Sequence, residues 1–446
     1  MVNLAGESSG DALWLTFGDV VALSGDFFPP GALFDLAAAP GRGGTRVETR
    51  DELVGALKVA TVDEAVTDPR FDPGGDFGHF AFSPRADRTD VERAVRDRYL
   101  ALAAVNDDHF VVPGFSDVAT GSGFPSAPAA YRHLHQVALD AAWALGRRRG
   151  DLTLAMAREA AAQHYLTDSF ASGHLRTPVA AIRRYWKGRY PGFWAALQRR
   201  VASDTATALR DVSAAMRLLP PRYLHRRTLS ELSLRTGVYP ELSMGDLVAR
   251  CFHDWDNAHG LAVDGGGEVF GDGAIHQGVT AELAIAAVRA GNDDVEVAYR
   301  MGASGSNLRG AALYDEVRRA TGAGAFVAET LVPRISAGHP QQNWQAPDAE
   351  TLWDTPIVGD RGTTVGEALV EMLEPEGQFI RQLDSLGEGL AGAHGPFGLP
   401  VVGPWLSRRC CQAFHRGFVE PLAREPAPML LDLVNSAERF RVSAPV

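Results

Sequence analysis

The sequence predicts an all-α protein, and three observations predict it. Apolar residues recur at helical spacing along most of the chain, strand-like alternation accumulates nowhere, and proline, glycine and capping acids punctuate the periodic stretches. With 446 residues, the chain is long enough for two or three domains or one large helical one.

Taken in order, residues 1–12 read as a polar, glycine-rich lead-in. Leu13 to Phe28 then packs apolar residues around Asp19 and Asp26, which share one face if this segment is a helix, and Pro29, Pro30 and Gly31 end it. Residues 36–90 mix glycine, proline and charge, with a short amphipathic helix from Asp51 to Ala60 and an ordered loop from Asp68 to Pro84. A helix from about Asp90 to Asn106 runs into NDDHFVVP, where His109 sits beside Phe110. The next helix, Ala127 to Leu145, carries His133 and His135; these lie two apart and cannot share a face, so one is core or second shell, donating to a ligating carboxylate. GRRRG, Gly146 to Gly150, turns the chain into a further helix over 151–175, capped by Asp151 and ended by Thr177 and Pro178.

Residues 179–250 read as two or three amphipathic helices broken at Pro220, Pro221 and near Pro240. Helices resume at about 278–302 and 307–332. Pro333 to Pro356, rich in proline and glutamine, is the best linker, and 361–446 supplies two or three more helices. No internal repeat is visible.

The helix at 151–175 concentrates the chemistry. In EAAAQHYLTDSFASGHLRTP, His164, Asp168 and His174 fall at spacings of four and six, which brings them near one face of a continuous helix. Imidazole nitrogen and carboxylate oxygen are zinc-ligand atoms, and the apolar flanks predict a buried helix whose polar side chains need partners. Asp19 and Asp26, set in an apolar segment, need partners too.

HYLTDSFASGH, residues 164–174, resembles the metal-binding core of the zinc-dependent phospholipase C family and the related fungal single-strand nucleases, with wording closest to the bacterial phospholipase C side. The resemblance implies an all-helical bundle around two or three zinc ions, with His164, Asp168 and His174 as ligands and Asp168 bridging. It assigns His109 as the upstream histidine ligand. It also implies a second histidine followed four residues later by an acid. Here His253 is followed by Asn257, so Asn257, Asp254 or Asp256 completes that site. The family's N-terminal tryptophan and histidine have no counterpart, and Asp19 and Asp26 are the candidates in their place; Asp26 joins Asp168 as a candidate catalytic group. The implied organisation is a catalytic domain over 1–335 with a helical insertion at about 179–250, followed by a linker and helical extension over 336–446.

The implied activity is hydrolysis of a phosphodiester, most naturally the glycerol-phosphate bond of a phospholipid, with transient contact at a membrane surface. A single-strand nuclease of the same fold and a non-catalytic helical metal-binding protein are the rivals. A net charge of −12 with only two lysines, Lys58 and Lys187, argues against a duplex nucleic-acid binder. No apolar run is long enough to span a bilayer, and no secretory signal is expected from the first residues. Three cysteines, Cys251, Cys410 and Cys411, supply neither a disulfide framework nor a CxxC site, so a metal here rests on histidine and carboxylate. GESSG at Gly6 to Gly10 lacks the preceding strand that a serine-hydrolase elbow needs.

Overall fold

The computed structural model describes residues 2–3, 14–29, 33–34, 102, 105–112, 123–212, 217–226, 242–271, 274–321, 332–337, 341–359, 362–372 and 412–441. The expected helices at Asp51 to Ala60 and about Asp90 to Asn106, the loop at Asp68 to Pro84, GESSG, Cys410 and Cys411 lie wholly or mostly outside them.

The protein is all-α. Among the described residues, strands are confined to two short pairs: β1 (Val2–Asn3) with β2 (Trp14–Leu15), and β3 (Leu261–Ala262) with β4 (Glu268–Val269). The chain divides into two compact units. The first comprises residues 1–77, 89–180 and 256–340, and the second residues 78–88, 181–255 and 341–446. The segment expected as an insertion at about 179–250 therefore groups with the C-terminal residues.

The first unit is built on three long helices. α2 (Ala127–Arg148) and α3 (Thr153–Asp168) form an antiparallel hairpin, and α8 (Thr280–Ala303) packs against both. The hairpin turns at Arg149, a left-handed residue (φ 56°) whose N–H bonds the Gly146 carbonyl. Two glycines allow α2 and α8 to cross closely. A Cβ on Gly146 would sit 2.1 Å from the Tyr299 carbonyl oxygen, and one on Gly302 would sit 2.1 Å from that of Trp143. Buried Tyr131, Tyr165, Leu166, Phe170 and Ala287 fill one layer of this bundle. Leu139, Trp143, Val295, Leu313 and Val317 fill another, the last two from α9 (Gly310–Ala320).

Two expected helices are shorter than their apolar patterns. Leu13 to Phe28 is β2 followed by α1 (Phe17–Leu23), because Ser24 is extended (φ −74°, ψ 140°) and Gly25 takes φ +82°. The segment over 151–175 breaks after Asp168. Ala171 is extended (φ −72°, ψ 129°), and a separate short helix, α4 (Ser172–Arg176), carries His174.

In the second unit, α5 (Val179–Arg189) begins at its edge and leads to α6 (Phe193–Val212), a long amphipathic helix. α7 (Met244–His259) follows, with its residues from Asp256 onward in the first unit. α10 (Ala349–Trp353), α11 (Val365–Met372), a π-helical turn at His415–Val419, α12 (Glu420–Arg424) and α13 (Pro426–Arg441) complete the chain. The segment expected as a linker is tied down in part. Tyr185 donates to the Ala346 carbonyl (2.7 Å), Trp186 donates to that of Trp344 (3.0 Å), and Asp348 caps α10 by accepting from the Thr351 N–H (2.8 Å).

Candidate metal centre

Three pieces of the first unit meet at the centre: the turn after α1, a 3₁₀ turn at Asp107–His109, and the C-terminal half of α3. Asp26, His109 and His164 bring one ligand atom each to within 4.8 Å of one another, a group that could hold a metal ion.

The imidazoles are aimed by backbone carbonyls. At the C-terminus of α1 the helix ends before Val21's carbonyl acquires an intrahelical partner, and His164 Nδ1 donates to it at 3.0 Å. That bond leaves the lone pair on His164 Nε2, which faces His109 Nδ1 at 3.3 Å. The two rings meet edge to face, with centroids 4.8 Å apart. His109 Nδ1 also lies 2.9 Å from Asp168 Oδ2 and 3.9 Å from Asp26 Oδ1, while His164 Nε2 lies 3.5 Å from Asp168 Oδ2. Asp168 Oδ2 is buried, with His109 Nδ1 its nearest imidazole nitrogen.

The imidazole pair has the separation that two ligands of one metal ion can have. Metal–nitrogen bonds of about 2.0 to 2.1 Å in a tetrahedral arrangement place neighbouring donor atoms roughly 3.3 Å apart, and His164 Nε2 and His109 Nδ1 are 3.3 Å apart. The backbone of Gly25 closes one wall: a Cβ there would fall 2.3 Å from His164 Nε2 and 3.0 Å from His109 Cε1, and its φ of +82° suits glycine. Asp26 is the most open of the set, with 29% of its side chain exposed against 5% for His109 and 7% for His164.

The electrostatics is that of a strongly coupled site. Burial alone would lower the pKa of His109, but its contact with Asp168 and the charges of Asp26 and Asp108 lift it to about 9. Burial would raise that of Asp168, yet the surrounding His164, His109 and His174 hold it well below the usual carboxylate range.

The other expected residues have different places. His174 Nδ1 is 4.0 Å from Asp168 Oδ2 but donates to the His109 carbonyl at 3.0 Å, so it braces the His109 turn; the Val111 N–H bonds the His174 carbonyl in return (3.0 Å). Asp19 is occupied in the capping box of α1, accepting from the Thr16 N–H (2.8 Å) while Thr16 Oγ1 accepts from the Asp19 N–H (3.0 Å). Asn257 caps α4: its Oδ1 accepts from the Gly173 N–H at 2.7 Å. Asp256 is buried in a two-pronged ion pair with Arg176, whose Nε lies 2.8 Å from Oδ2. His253 and Asp254 belong to the second unit, where His253 Nδ1 is 2.8 Å from Asp254 Oδ1 and Arg250 binds the other carboxylate oxygen.

His135, and not the exposed His133, is the buried one of the α2 pair. Its carboxylate partners are neither Asp26 nor Asp168: Nδ1 is 2.6 Å from Glu159 Oε2 and Nε2 is 3.6 Å from Asp294 Oδ2. Gln163 also donates to Glu159 (2.9 Å), and Gly291 of α8 leaves the room, since a Cβ there would sit 2.5 Å from Glu159 Oε1. Sequence reasoning missed Glu159 and Asp294, and it missed Asp108, whose Oδ1 lies 3.8 Å from His109 Nε2 and adds to the negative charge around that ring. The signal for Asp108 was present in NDDHF, an acid beside a candidate ligand.

Comparison of the chain with known protein families, curated proteins and solved structures returned no match. Fold and site together define an all-α protein with an Asp/His/His group able to hold a metal ion. Among the described residues, no helix is long and apolar enough to cross a membrane.

Proposed function

We propose that this protein is a zinc-dependent phosphodiester hydrolase of phospholipase C type. The observation that carries the reading is the convergence of His164 Nε2 and His109 Nδ1, 3.3 Å apart, on the buried Asp168 oxygen, at 3.5 and 2.9 Å from it. The likeness of HYLTDSFASGH to the phospholipase C motif selects phosphodiester chemistry among the reactions such a centre supports.

His109, His164 and Asp168 would hold the ion, leaving a fourth position for water beside Asp26. Bound there, zinc supplies Lewis acidity, polarising a phosphoryl oxygen and making water nucleophilic near neutral pH. The protein's own groups do the rest. Carbonyl bonds fix the tautomers of His164 and His174, and Asp108 faces the far nitrogen of His109. Asp26, open to solvent, would take the proton of the attacking water as the new phosphorus–oxygen bond forms and deliver it to the leaving oxygen as that bond breaks, so that the alcohol departs neutral. An open side of this kind distinguishes a catalytic site from a closed structural one.

The test is metal content together with hydrolysis of a soluble chromogenic phosphocholine diester. Zinc-dependent turnover that His164→Ala and Asp168→Asn each reduce by at least about a hundredfold is expected. Full activity in both variants overturns the reading. Release of nucleotides from single-stranded DNA without diester turnover on the choline compound assigns the rival nuclease activity.

A further inference from the structure

The second unit contains an open cavity of about 580 Å³ between α6 and the segment 217–226, lined in part by Arg210, Arg217, Arg222, Arg226 and His225, with Asp211 as its acid. Four arginines thus share one concavity in a chain whose net charge is −12. Elsewhere in this unit Arg200 pairs with Asp204 and Asp432, Arg183 with Asp246, and Arg250 with Asp254. Among the described residues, no carboxylate lies within 4.0 Å of any of the four that line the cavity.

Arg210 supplies an independent sign. Its Nε is buried, and no acceptor among the described residues satisfies it. An unsatisfied buried donor on a cation is costly, and the cost is recovered when an anion binds. Arg217 is preset as well, because its Nε donates to the Arg210 carbonyl at 2.9 Å and the rest of its guanidinium is left for another partner. On α6, Ser203 and Thr207 line the same wall one turn apart, the Thr207 hydroxyl donating to the Ser203 carbonyl at 3.0 Å.

We infer that this cavity binds a compact, soluble, phosphate-bearing molecule carrying at least two negative charges. Planar guanidinium groups match phosphate oxygens in pairs, and the Ser203 hydroxyl adds a further donor. The volume falls within the range of small-ligand pockets and admits a sugar phosphate or a diphosphate. The site is formed within the second unit, and none of the metal-centre residues enters it.

Pyrophosphate is the probe, titrated calorimetrically into the full chain. Saturable binding is expected, weakened at least about tenfold in Arg222→Glu and in Arg210→Gln, since one charge-assisted contact is removed in each. Arg222 is exposed, so its substitution leaves folding intact; Arg300→Ala, on an exposed face of α8, should bind as the wild type does. Absence of saturable binding, or unchanged affinity in both cavity variants, overturns the assignment. A second arm compares phosphatidic acid vesicles with phosphatidylcholine vesicles: equal binding to the two is expected, and selective binding to phosphatidic acid without pyrophosphate binding overturns the soluble-ligand assignment.

Discussion

His164 Nε2 and His109 Nδ1 face each other across 3.3 Å, although the two residues are 55 positions apart and sit on different elements. Two imidazole nitrogens at that distance require a proton or a cation between them. His164 has given its only neutral-form hydrogen to the Val21 carbonyl. The hydrogen or the ion must therefore come from the His109 side, where Asp168 and Asp26 supply compensating charge.

Gly25→Ala tests how closely the α1 turn forms this wall. The added Cβ would overlap His164 Nε2 and approach His109 Cε1, and alanine is strained at φ +82°. A stability loss of about 2 kcal/mol or more is expected, together with weakened metal binding. Thermal unfolding and a zinc titration measure the two effects separately.

Proton competition follows from His109. In the metal-free protein this group titrates near 9, and a metal needs its lone pair. Zinc binding at neutral pH should therefore release a proton. Apparent affinity should fall about tenfold per pH unit from this group alone as the pH drops below that value. Calorimetry in buffers of different ionisation enthalpy counts the proton; no release would contradict the assignment of His109 as a ligand.

His135 makes a separate contribution. Burial would lower its pKa, but Glu159 and Asp294 raise it from 6.5 to about 9. Because the folded-state value is the higher one, the stabilisation is fully present below about 6.5 and is lost as the pH rises through about 9. Denaturant unfolding of metal-free protein at the two ends of that window should show the loss, and Glu159→Gln should diminish it. An undiminished loss in the variant would remove Glu159 as its source.

Asn257→Ala separates a capping role from a ligand role. It deprives the buried Gly173 N–H of its acceptor and should cost about 1 to 3 kcal/mol of stability. Zinc affinity should change little. A loss of zinc comparable to that of His164→Ala would restore Asn257 as a ligand.

The all-α class and the principal helices were legible because apolar periodicity in segments such as Ala127–Arg148 and Thr280–Ala303 is a local signal. His164 and Asp168 were legible for the same reason, being four residues apart on one helix. The break after Asp168 was not. It depends on Ala171 adopting an extended conformation and on Asn257, 84 residues away, capping Gly173. Asp19 and Asp26 illustrate the same limit: seven residues apart, they share a face only if the helix continues, and the turn at Ser24 and Gly25 assigns one to a cap and the other to the centre. The Glu159 and Asp294 pairing with His135 was hidden because it joins three helices, and sequence spacing carries no register between them.

The most direct measurement is a zinc titration of the metal-free 446-residue chain with X-ray absorption of the bound ion, on wild type, His109→Ala and His164→Ala. The account predicts a tight site with two imidazole nitrogens and carboxylate oxygen at about 2.0 to 2.2 Å, weakened at least about a hundredfold in each variant. No zinc above background, or equal retention in both variants, would contradict it.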